Sequence, residues 1–166
     1  AVFVPFETAA TLLRLLSGVQ TSPRAVWLWV QEAGQRAMEW LQHELENLAR
    51  GQLPDEEPMD ERTAAQPLLV GADGVMVPFR PEDGTPKGKT VWREIKVAVL
   101  ARLRRHTTRT GQEVSRLERR RLVAVLGDID ALSPRLWLEA VRQGILSAQR
   151  VVWLSDGARG FWRLFF

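Results

Sequence analysis

The sequence predicts an α+β protein: a helical N-terminal segment, then a mixed β-sheet crossed by one helix. Three observations carry this. Apolar residues recur at three- and four-residue steps up to about residue 50. From residue 67 onward the pattern changes to apolar runs and alternations of strand type. Between them, Pro54, Pro58 and the acids Asp55, Glu56, Glu57, Asp60 and Glu61 break both periodicities.

In the first half, residues 7–16 place Ala10, Leu13 and Leu16 on one stripe, with Gly18 as the C-cap. Thr21-Ser22-Pro23 is a start signal, a hydroxyl N-cap with proline at the first helical position. Val26, Val30, Ala33, Ala37, Leu41, Leu45 and Leu48 then carry a helix over 22–50, its apolar face widened by Trp27 and Trp40. The pair reads as a helix-turn-helix whose second helix offers Arg24, Trp27, Gln31 and Gln35 to a DNA groove. The region is acidic, unlike most DNA-binding helices. The alternative is therefore a helical hairpin that packs, or forms a homodimer, through its tryptophans. The expected division is a helical segment over 1–50, an acidic linker over 51–66 and a second domain over 67–166.

In the second half, residues 68–79 form a mostly apolar strand interrupted by Asp73. Residues 80–89, rich in Pro, Gly and charge, form a loop. Over 91–103, Ile95, Val97, Val99, Ala101 and Leu103 face one side, and Glu94, Lys96 and Arg102 the other. A polar connector over 106–111 leads to a third strand over 121–126. Ser133-Pro134 starts a helix carrying Leu136, Leu138, Ala140 and Val141, and Gly144 ends it. A short apolar strand over 151–154 runs into Ser155-Asp156-Gly157. Three antiparallel strands are expected, with the last strand added parallel to the first through the crossover helix.

With 45% apolar residues and seven tryptophans, the chain has ample material for a core. It has no cysteine, which excludes disulfides and thiolate metal sites and fits an intracellular protein. No apolar run approaches the roughly 18 residues of a membrane span, and no signal peptide opens the chain. A start at Ala1 and an end on Phe165-Phe166 read as a fragment or a trimmed product. The net charge of +3 is uneven: residues 1–66 carry five arginines and ten acids, and the remainder carries the basic surplus. The surplus is densest over 87–121, with twelve Lys or Arg and three Glu. Such a stretch, with Arg102, Arg104, Arg105 and Arg109, suits a polyanion such as DNA. A solubilising loop is the equal alternative on charge alone.

Two aspartates occupy telling positions, Asp73 within an apolar strand and Asp156 just after one. A carboxylate at a buried strand must be paired, hydrogen-bonded or bound to metal to offset its desolvation. Two held close together suit a divalent cation at a phosphoryl-transfer site. Gly74 and Gly157 beside them allow close backbone approach. Alternatively, each Asp-Gly is a turn, and residues 69–79 are two tiny strands around it. His43 and His106 are isolated and lack zinc-site spacing. Asp128 and Asp130 read as capping or solvent-facing groups.

The pieces Val70-Gly71-Ala72-Asp73-Gly74-Val75-Met76-Val77, Trp92-Arg93-Glu94-Ile95-Lys96-Val97 and Val151-Val152-Trp153-Leu154-Ser155-Asp156-Gly157-Ala158, in that order, resemble insertion-sequence transposases of the DDE type, particularly the ISKra type. Phe161-Trp162 fits the Phe-Trp or Ile-Trp that follows in that group. The resemblance covers residues 67–163 and, more loosely, the helices before them. It implies a partial RNase H-like domain in a DNA transposase. Asp73 and Asp156 would be its first two catalytic acids and would bind Mg²⁺ or Mn²⁺. Glu94 would belong to a strand motif outside the triad, and the third acid, a glutamate much further along, has no counterpart. The implied setting is the bacterial cytoplasm, at the nucleoid, with no membrane and no small-molecule cofactor. A non-catalytic DNA-binding or oligomerising remnant of such a gene is the second reading. A ribonuclease H-like nuclease unrelated to transposition is the third.

Overall fold

The structure, a computed structural model, describes residues 4–79, 90–156 and 159–164. The expected loop over 80–89 and the residues Gly157 and Ala158 lie outside these. The chain separates into two compact units, 1–46 and 47–166. No helix among the described residues is long and apolar enough to cross a membrane.

The first unit is made by α1 (Phe6–Ser17) and most of α2 (Pro23–Ala49). Gly18 caps α1 at φ +72°, a conformation glycine adopts at no steric cost. Ser22 Oγ accepts the Ala25 N–H at 3.1 Å, the N-cap bond expected before Pro23. Its buried core is small: Ala9, Ala10 and Val26, with Val4 and Phe6 packed against them. Leu15, Leu16, Trp27, Trp29 and Trp40 are exposed.

The second unit is built on β1 (Leu68–Phe79), β2 (Val91–Thr107), β3 (Glu113–Leu126) and β4 (Val151–Ser155). Its helices are α3 (Glu61–Ala64), α4 (Ile129–Arg142) and α5 (Arg159–Trp162). The strands form one sheet in the order β3-β2-β1-β4. β2 is antiparallel to β1 and β3, and β4 is parallel to β1, with α4 between β3 and β4 in the chain. β1 is therefore one continuous twelve-residue strand, and Asp73-Gly74 lies within it. The hairpin alternative over 69–79 is excluded.

Alternation along the strands divides the sheet into two faces. Leu68, Val70 and Ala72 of β1, Ala98 and Leu100 of β2, and Val123 and Val125 of β3 form the core with Leu132, Leu136 and Ala140 of α4. The buried side of β2 is thus the one with Ala98, Leu100 and Arg102. The Val97 and Val99 side, the more apolar in sequence, lies away from α4.

Three boundaries differ from expectation. α4 begins at Ile129, with Asp128 accepting the Ala131 N–H at 2.9 Å, so Pro134 lies inside the helix. Burial of Leu132, fully enclosed at 0% exposure, outweighs the local proline start signal. β2 and β3 both run further, to a turn at Thr108–Gln112 closed by the Thr108 N–H to the Gln112 carbonyl at 2.9 Å.

Candidate functional site

The register of β1 and β4 brings the two aspartates to one depression. Leu68 pairs with Val151 and, four steps on, Ala72 pairs with Ser155. Asp73 follows Ala72 within β1, and Asp156 follows Ser155 just past the end of β4, so each lies one residue beyond the last pair of this register. The alternation that sends Ala72 into the core puts Asp73 on the face away from α4. Both aspartates are exposed and line one shallow depression of about 410 Å³, floored by Val97, Val99, Leu122 and Leu154. This corrects the expectation of a carboxylate buried in a strand. What marks this position is two acids in one depression, not desolvation. Asp73 Oδ1 accepts the N–H of Gly74 at 2.7 Å, which orients the carboxylate.

Gly74 leaves room for its neighbour: a Cβ there would meet Glu94 Oε1, the end of a flexible, half-exposed side chain that lies against that backbone. Lys96 Nζ donates to Glu94 Oε1 at 2.6 Å and lies 5.2 Å from the Phe161 ring centroid. Glu94 and Lys96 therefore brace the underside of β1, one residue from Asp73. Asp128 acts as a helix cap, and Asp130 is an exposed residue of the first turn, 3.9 Å from Arg163. Among the described residues, no group of three or more His, Asp or Glu side chains is placed to hold a metal ion. A cation at Asp73 and Asp156 would have two protein carboxylates.

The basic residues sort into two sets, which charge counting cannot do. Arg102 is buried at 1% exposure. Its Nη1 donates to the Gln66 and Ala64 carbonyls at 3.0 and 3.3 Å, and its Nη2 to the Gln143 carbonyl at 2.5 Å. Burial lowers its pKa from the ordinary value, opposed by the charge of Glu56. Arg102 is thus a structural pin, and its assignment to DNA binding is corrected. Arg104 pairs with Glu118 at 2.9 Å. Arg119 and Arg121 converge on Glu57 at 3.0 and 2.5 Å. The acidic stretch is accordingly fastened to the sheet: Glu57 also accepts from Gln143 Nε2 at 3.1 Å, and Glu56 from Ser147 Oγ at 2.8 Å.

Arg105 and Arg109 are exposed, as are Arg116 and Arg120, which sequence reasoning passed over. Arg116 belongs to the part of β3 left out of the expected strand. Arg24, Gln31 and Gln35 are exposed along α2, with Gln35 Nε2 donating to Glu39 at 3.0 Å. No family model, curated protein or solved structure matches the chain.

Proposed function

We propose that residues 67–166 are part of an RNase H-like catalytic domain of a DNA transposase, and that Asp73 and Asp156 are its first two metal-binding acids. One observation carries the reading: the last pair of the parallel β1–β4 register, Ala72↔Ser155, directly precedes Asp73 and Asp156, which line one shallow depression. The strand order with a crossover helix before the parallel strand supports it. Two exposed carboxylates fit an oxygen-seeking divalent cation, since Mg²⁺ is commonly held by one or two carboxylates with water and phosphate oxygens completing its shell. When bound, the cation activates water or a 3′-hydroxyl and stabilises charge on the phosphate. Asp73 would be aimed by its Gly74 hydrogen bond, and Asp156 held at the tip of β4. The exposed arginines of the β2–β3 hairpin would neutralise DNA phosphates, and Arg24, Gln31 and Gln35 of α2 would be open to a groove.

The two-carboxylate set favours one limit on this reading: the chain by itself binds DNA without cutting it appreciably, as a DNA-binding or oligomerising remnant also would. Thermal melting with and without Mn²⁺ tests the site. At a Mn²⁺ concentration tenfold above its dissociation constant, stability rises by about 1.4 kcal/mol, or roughly 5 °C. Asp73→Asn and Asp156→Asn are each expected to abolish the rise. Equal responses in all three proteins would remove the case for a catalytic origin.

A further inference from the structure

β1 begins at Leu68, opposite Arg102. Leu103 still donates its N–H to the Pro67 carbonyl at 2.9 Å; past it, among the described residues, β2 and β3 pair only with each other, through Arg104↔Arg116, Arg105↔Ser115, His106↔Val114 and Thr107↔Glu113. The outer hairpin is thus a two-stranded ribbon extending past the sheet, and an isolated ribbon is marginally stable. Its charges make it less so. Arg104 and Arg116 lie directly opposite each other, a like-charge pairing that costs stability. Glu118 pairs with Arg104, but among the described residues Arg105, Arg109 and Arg116 have no ion-pair partner. Fold stability does not explain uncompensated arginines on a marginal ribbon.

Their placement is specific. By alternation, Arg105 stands on one face of the ribbon and Arg116 on the other, while Arg109 is in the turn at its tip. A positive charge on both faces fits a cleft with a negative wall on each side. The DNA major groove, about 12 Å wide, admits a two-stranded ribbon between two phosphate backbones. Arg105 also shares a sheet face with Val97, the register partner of Asp73. Eight residues of β2 separate them, about 27 Å at roughly 3.4 Å per residue, close to the length of eight base pairs.

We infer that the outer β2–β3 hairpin is an arm that enters the major groove of a DNA duplex, about eight base pairs from the point where Asp73 and Asp156 face the same duplex. The inference rests on the reading of that acid pair given above. The test is equilibrium binding of the whole chain to a duplex of about 25 base pairs, long enough to span about 27 Å, across a salt series. Each phosphate contact contributes about 0.9 to the salt slope. Arg105→Gln and Arg116→Gln should each lower affinity about eightfold at about 0.1 M salt, and the double variant about sixtyfold. Arg50→Gln, an exposed arginine outside the ribbon, serves as the control and should change neither affinity nor slope. Matching far-ultraviolet dichroism establishes that the variants fold. Methyl green, a major-groove ligand, should displace the protein, and netropsin, which occupies the minor groove, should not.

The Mn²⁺ melting response is measured on the same samples. Loss of affinity in the arm variants with that response intact is the expected result. Unchanged affinity in both variants with the response intact overturns the arm alone. Displacement by netropsin rather than methyl green overturns the groove. A wild-type chain with neither duplex affinity nor a Mn²⁺ response overturns the acid-pair reading and the arm with it.

Discussion

Glu57 shows how one side chain decides what a charged surface can do. Its carboxylate takes hydrogen bonds from Arg121, Arg119 and Gln143, and its backbone N–H donates to the Arg142 carbonyl at 2.8 Å. The hydrogen bond from Arg121 chiefly holds its pKa below the ordinary 4.5, with partial burial opposing. A depressed carboxylate pKa stabilises the fold at pH above the unfolded value, and that contribution is lost as pH falls through the native one. Glu57→Gln should therefore cost about 1 kcal/mol at neutral pH and flatten the acid limb of a stability–pH profile below about pH 5. An unaltered acid limb in denaturant titrations would remove Glu57 as the clasp. Sequence could not reveal this, because Glu57 sits in an acidic stretch 62 and 64 residues from Arg119 and Arg121. Arg102 was hidden for the same reason. Strand alternation put it with Glu94 and Lys96, but only packing against α4 and the preceding segment shows that this side is the interior. Arg119 adds a further departure, at φ +50° beside the β3 bulge, where the register slips between Leu100 and Arg102.

Elements were legible where a period was sustained or a cap was strong. The Ser22-Pro23 start, the Gly18 end, and the extents of β1 and β4 could be read from local chemistry to within a residue or two. β3 was not, since the bulge at residues 119–120 interrupts its alternation and its outer half has no third strand to bury against. α4 was misread at its start because two capping signals lie five residues apart, Asp128 and Ser133. The structure uses the first, which brings Leu132 into the core. Asp128→Ala should then cost about 1 kcal/mol of stability, the usual worth of an N-cap, while Ser133→Ala should cost much less. Chemical denaturation of the two variants separates them, and the reverse order of effects would place the helix start at Ser133. The short α3 gave too brief a pattern to be read, four residues held by Asp60, which accepts the Thr63 N–H at 2.9 Å.

At the scale of the molecule, the acids are brought together by topology rather than by any local motif. Each Asp-Gly by itself is a good turn sequence. What turns them into a pair is the right number of strands between them and a helix long enough to cross the sheet, so that β4 returns parallel to β1. That order was readable from the sequence. The face on which the acids emerge was not, because it depends on which side α4 covers. The open face, with Leu122 at 82% exposure and Leu154 at 56%, gives the pair an apolar floor. In the proposed reading this pair holds one divalent cation. Electron paramagnetic resonance of free Mn²⁺ during titration counts bound ions directly. The account predicts one Mn²⁺ per chain at this site, lost in both Asp73→Asn and Asp156→Asn. No bound Mn²⁺, or full binding retained in either variant, would contradict it.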